Sequence, residues 1–257
     1  MQVHVITLSG KVPLQISKVF PETEPFAAVD TRSIDIQVML RNGMITQGAA
    51  ETLEHGRKYH HELSGKGGVG LYQTMRTALE SGTGPLLLME DDCRPSEELP
   101  AICKQLVEAS DEFDLAVFGP LRYTDGSPSS VHSKFERLNG YFWGLHGVLY
   151  TAEGRKRAAA ALQGPVNIQI DGKLSRLNKF NPSSDPLRIL IQTKGVPLAT
   201  QQWHKSGVQS GGCLVCEMPP SKGMHPLVFF PIVNIIPVFS IALAAGVGAV
   251  IGRFIPR

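Results

Sequence analysis

The spacing of apolar and polar residues switches repeatedly between two periods over the first two hundred positions. Alternation over residues 3–8 predicts a strand, and the polar turn Ser9, Gly10 and Lys11 ends it before an irregular stretch holding Pro13, Pro21 and Pro25. Residues 26–30 predict a second short strand that ends in the acid Asp30. Helix-forming composition follows over 45–59, then a glycine-rich turn over 65–70, then apolar Leu71, Met75, Ala78 and Leu79 at helical spacing. Leu86, Leu87, Leu88 and Met89 form an unbroken apolar run between Gly84-Pro85 and Arg94-Pro95, the pattern of a strand buried on both faces. A helical pattern over 99–109, a strand over 115–119, an apolar segment over 141–150 and an alanine-rich helix over 152–162 complete the series. Strands alternating with helices predict an α/β sheet covered by helices.

The pattern changes after residue 205. Residues 206–225, rich in Gly, Ser and Pro, read as a linker. Residues 226–252 contain no charge and exceed the ~20 apolar residues that cross a bilayer as a helix, so they predict a transmembrane segment, with 253–257 as a short tail. Pro231 and Pro237 would kink such a helix, and Gly248 and Gly252 would let another helix come close. The competing reading is a buried core helix or an interfacial hairpin. The N-terminal strand lacks the basic leader and long apolar region of a signal peptide, so a single-pass protein with its N-terminal domain, residues 1–205, on the cytosolic side is expected. Lys222 before the span and Arg253 and Arg257 after it leave the charge bias nearly balanced.

Composition narrows the class by exclusion. A formal net charge of +2 with scattered Lys and Arg disfavours nucleic-acid binding. The four cysteines, Cys93, Cys103, Cys213 and Cys216, make no disulfide framework and suit a reducing compartment at least as well as an oxidising one. Cys213 and Cys216 lack a second pair at zinc spacing and read as ordinary thiols. Gly65 to Gly70 resembles a phosphate loop, but Leu71-Tyr72 stands where Lys followed by Ser or Thr would be needed, which excludes a nucleoside-triphosphatase loop.

Candidate chemistry sits where the apolar run meets Glu90, Asp91 and Asp92. Ligands gather at the carboxyl ends of strands in open α/β sheets, and Mg²⁺ or Mn²⁺ takes carboxylate and phosphate oxygens, so the triplet suggests a metal–diphosphate site. A solvated acidic turn is the equal alternative. Asp30, at the end of the second predicted strand, suits a nucleotide base or ribose equally with a plain turn. Asp171 is the candidate general base, and equally a cap for the helix-like 172–177. His204, beside Trp203, is a candidate metal ligand, although a His beside a Trp is more often a packing residue.

The order of these pieces resembles glycosyltransferase family 25, which includes lipopolysaccharide and collagen galactosyltransferases. The family's N-terminal strand is matched by His4 to Leu8, its "AIDG" turn by Ala28 to Thr31, and its "LEDD" segment by Met89 to Asp92. Gly67 to Met75 matches its glycine-containing segment loosely, with Thr74-Met75 where Ser-His is usual. Gly144 to Tyr150 with Gly154 and 158–162 resembles a further segment, reading Gly144-Leu145-His146 where a Thr is usual, and Ile170-Asp171 resembles "P-x-D". Pro197, Gln201 or Gln202, and Ser206 resemble the closing segment. The resemblance implies a GT-A fold, a Rossmann-like nucleotide-sugar domain, and an inverting, metal-dependent transfer to a glycan, lipid-linked or protein acceptor. It implies Thr7, Leu8, Asp30, Glu90 and Asp91 as donor-binding positions and Asp92, Glu90 and His204 as metal ligands. The alternative is a membrane-anchored interaction protein that kept the fold and lost catalysis, in line with the absent Ser-His.

Overall fold

The computed structural model describes residues 1–59, 61–179, 186–193 and 195–202. The chain begins with β1 (Gln2–Thr7), α1 (Leu14–Ser17), β2 (Glu24–Ala27), α2 (Ile36–Arg41), α3 (Gln47–His55) and α4 (Lys66–Glu80). Next come β3 (Leu86–Glu90), β4 (Cys93–Pro95), α5 (Leu99–Glu108), β5 (Leu115–Val117), β6 (Arg122–Tyr123), β7 (Gly126–Pro128) and β8 (Phe135–Leu138). The series ends with β9 (Phe142–Trp143), β10 (Gly147–Tyr150), α6 (Ala152–Ala161), α7 (Ile170–Lys179), β11 (Ile189–Gln192) and β12 (Ala199–Gln201).

Eight strands form one mixed sheet in the order β2-β1-β3-β10-β5-β11-β8-β7. β2, β1 and β3 are parallel, β10 runs antiparallel to both β3 and β5, β11 is parallel to β5, and β8 and β7 add an antiparallel edge. The expected α/β class is therefore seen, with reversed strands that periodicity does not disclose. After β1 the chain places β2 on one side of it and β3 on the other. Connections leaving β1 and β3 thus diverge and open a crevice at their carboxyl ends, the place where such sheets bind ligands.

The apolar run explains the centre of this sheet. Leu86 and Leu88 pack with α3, α4, α6 and α7 on one face, while Leu87 and Met89 pack with α1 and α5 on the other. Full burial of each such side chain contributes ~1.5–3 kcal/mol, enough to hold a strand whose end carries three carboxylates. By the same alternation Glu90 faces the α4 and α7 layer.

Three local details depart from the sequence reading. Residues 65–70 are no turn: α4 begins at Lys66, and a Cβ on Gly70 would collide with the Val29 carbonyl oxygen. Glycine there serves close approach of helix to loop rather than chain reversal. The helix expected over 45–59 is confined to Gln47–His55, opened by the Thr46 side chain accepting from Ala49 N and closed at Gly56, whose φ is 87°. The second strand stops at Ala27, so Asp30 lies three residues beyond its end.

Two buried cationic clusters tie the layers together. Arg155 is fully buried and donates to the Leu79, Ala78 and Gly84 carbonyls, the Gln2 side chain and Ser81 Oγ. It thereby satisfies the Leu79 carbonyl at the end of α4 and adds a donor to Ala78, whose carbonyl also accepts from Ser81. Asp114, also fully buried, accepts from Arg157 and from both the backbone and side chain of Arg188. Cys93 and Cys103 are buried free thiols.

No helix among the described residues is long and apolar enough to cross a membrane. The transmembrane segment expected over 226–252, the linker and Cys213 and Cys216 lie outside the described residues.

Candidate functional site

At the end of β3 the three consecutive carboxylates separate. Glu90 turns into a cleft of about 760 Å³, open mouth included, whose walls also carry Arg57, Trp143, His146, Asp171 and Gln201. Asp91 is exposed and accepts a hydrogen bond from the Thr7 side chain at the end of β1. Asp92 turns to β12, where its Oδ2 accepts from Gln201 Nε2 at 2.9 Å and its carbonyl accepts from Gln202 N at 2.8 Å. Asp92 Oδ1 is buried and makes no hydrogen bond among the described residues.

This crowding governs the charge of the site. Burial pushes the Glu90 carboxyl up to about 8, and the neighbouring Asp92, Asp91 and Asp171 charges push the same way. With no cation bound, Glu90 therefore holds its proton at neutral pH. Asp91 is also raised, by burial first and Asp92 second, against the hydrogen bonds it accepts. His146, buried at the start of β10, is held below its usual value by burial, while backbone at Ala199 and Gly119 and the Asp92 charge pull the other way. Neither of its ring nitrogens makes a hydrogen bond of good geometry.

Asp171 comes to the same cleft from a distant part of the chain. It lies inside the first turn of α7, and the Gln169 carbonyl accepts the opening helical bond from Lys173 N at 2.9 Å, so Asp171 is not the helix cap. Its Oδ1 accepts from Gly172 N at 2.7 Å and its Oδ2 from Gly144 N at 3.4 Å. Burial raises its pKa, opposed by these backbone donors and by the Arg57 charge. A half-buried carboxylate oriented by two N–H groups, facing a cleft, has the form of a proton acceptor.

Glu90 and Asp171, then, meet in one cleft, and Asp92 adjoins it through Gln201. Thr7 belongs to the neighbouring end of β1, where its hydroxyl also lies 2.9 Å from Ser9 Oγ, and Leu8 is exposed beside it. Asp30 does not join them. It is exposed and paired with Arg32 at 2.7 Å, which holds its carboxyl down to about 2. His204 lies outside the described residues.

The position of the family's Ser-His serves structure in this chain. Thr74 is buried, donates to the Gly70 carbonyl and accepts from Val29 N at 2.8 Å, and Met75 is buried in the core. Arg57 and Trp143 went unread because their roles depend on turns: each adjoins a glycine of positive φ, Gly56 at 87° and Gly144 at 98°. Those glycines were the available signal.

Neither a protein-family model nor a curated protein matches the chain. Among solved structures the chain is similar to one described as "Crystal Structure of A197 from STIV", with 10% identity, 75% of this chain and 82% of that chain covered, and a TM-score of 0.37. Likeness at that level carries no argument about fold or function.

Proposed function

We propose that the protein is a GT-A glycosyltransferase related to family 25, moving a sugar with inversion from a nucleotide-sugar donor to a glycan, lipid-linked or protein acceptor. The observation that carries this reading is the meeting of Glu90 and Asp171 in one cleft beside the β1/β3 crevice. Asp171 would take the proton of the acceptor hydroxyl as that oxygen bonds to the anomeric carbon and the carbon–diphosphate bond breaks. Its raised pKa makes it a stronger base, and the Gly144 and Gly172 amides fix the direction of its lone pairs.

A divalent cation fits the donor set. Mg²⁺ and Mn²⁺ at nucleotide sites take one or two carboxylates, with phosphates and water completing the shell. Asp92, with its unpartnered buried Oδ1, and Glu90, whose proton a bound cation would displace, would supply those two. Among the described residues no three His, Cys, Asp or Glu side chains group into a protein-only metal cage. When bound, the cation would neutralise charge on the departing diphosphate.

The test is nucleotide release from uridine, guanosine and cytidine diphosphate sugars, with and without Mn²⁺. At least one donor should turn over, and Asp171→Asn should slow it about 100-fold or more while donor affinity stays within about threefold. No release from any donor, or equal loss of affinity and rate in the variant, overturns the assignment. A second reading, a binding protein that lost catalysis, is favoured by the structural use of Thr74 and Met75 and predicts nucleotide binding without turnover.

A further inference from the structure

The cleft that holds Glu90 and Asp171 also carries an indole. Trp143 lines it at the end of β9, and Tyr141 stacks on Trp143 with ring centroids 6.5 Å apart and planes 27° from parallel. Leu121, 48% exposed, completes that surface, pressed against Gly144 where a Cβ would lie 2.9 Å from Leu121 Cγ.

The aromatic surface is fixed in place by the backbone. Leu121 N donates to the Trp143 carbonyl at 2.8 Å, and Tyr141 exchanges hydrogen bonds with Thr124, as donor to its Oγ1 and acceptor from its N, both at 2.9 Å. On either side of Trp143, Phe142 N donates to Ser175 Oγ on α7 and Gly144 N donates to Asp171. The chain that carries the indole is thus tied to the same helix that carries the half-buried carboxylate. Preorganised aromatic surface binds with little ordering cost.

We propose that Trp143, Tyr141 and Leu121 form the subsite for the acceptor and that the acceptor is a carbohydrate ring. A sugar offers an apolar face of C–H groups and an edge of hydroxyls. This cleft offers the complement, an aromatic surface and the carboxyl groups of Asp171 and Glu90. The nucleotide is assigned to the β1/β3 crevice, leaving the aromatic surface to the second substrate. This inference rests on the glycosyltransferase reading for the word acceptor, and not for the binding itself.

The experiment titrates the full chain with methyl β-galactoside, methyl α-glucoside, methyl α-mannoside, N-acetylglucosamine and lactose by saturation-transfer NMR. Uridine and guanosine diphosphate with Mn²⁺ are titrated in parallel by calorimetry. At least one sugar should bind, Trp143→Ala should weaken it about tenfold or more, and Trp143→Phe should retain it within about threefold, with nucleotide affinity unchanged in both. No sugar binding to the wild type, undiminished binding in Trp143→Ala, or loss of nucleotide affinity in its place overturns the subsite. Sugar binding that depends on Trp143 with no nucleotide binding upholds the subsite and removes the glycosyltransferase reading.

Discussion

Replacing Glu90 by Gln should stabilise the protein, and only above the pH at which a free glutamate ionises. The folded carboxyl is raised from 4.5 to about 8, first by burial and then by the Asp92, Asp91 and Asp171 charges. Below the unfolded pKa both states hold the proton and the substitution changes little. Between 4.5 and about 8 the unfolded chain releases the proton while the folded chain keeps it, so stability falls as pH rises. Above the folded pKa the loss is complete. At 1.36 kcal/mol per unit the full shift sets a ceiling of about 5 kcal/mol, and relaxation around the charge leaves an expected gain for the variant of about 2 kcal/mol or more at pH 9. Gln keeps the side-chain shape, and the bond from the residue 90 amide to the His146 carbonyl is untouched. Urea unfolding of both proteins at pH 4.5, 7 and 9 measures the difference. A gain that does not grow with pH, or a variant less stable at pH 9, refutes the account of this carboxyl.

Arg155→Met should cost about 3–5 kcal/mol in urea unfolding, because the buried Leu79 carbonyl loses its donor and the Gln2 side chain loses its partner; an effect below 1 kcal/mol would mean that water replaces the guanidinium. Gly70→Ala should destabilise by about 1–3 kcal/mol, since its methyl must displace the Val29 carbonyl, and amide exchange at Val29 should quicken as its bond to Thr74 loosens; unchanged exchange there would refute the packing argument.

The parts of this fold that a sequence discloses are those set by local period. Leu86 to Met89 announced a doubly buried strand because both faces of β3 are covered, and the strand is found at Leu86–Glu90. The reversal of β10 was not legible, since a strand buried on both faces reads alike in either direction. The glycines of α4 misled because glycine marks both turns and close packing, and only the distance to Val29 distinguishes them. Within the site, Glu90 and Asp171 could be named from strand end and helix start. Their meeting could not, because 80 intervening positions carry no signal of which loop returns to which strand. Asp30 was left between a nucleotide ligand and a turn residue, and its partner is local: Arg32, two residues on, donates to its carboxylate.

The position of β11 has a bearing on how the chain is made. This strand is the last to join the large sheet, yet it lies inside it, between β5 and β8. Until residue 192 has left the ribosome, β5 presents an open edge of unpaired N–H and C=O groups, and the β7–β8 hairpin has no strand to dock on. A nascent chain stopped short of that point offers two sticky edges, so the sheet cannot close before residue 192 has emerged. A chain truncated before β11 should therefore aggregate through the exposed β5 edge rather than fold.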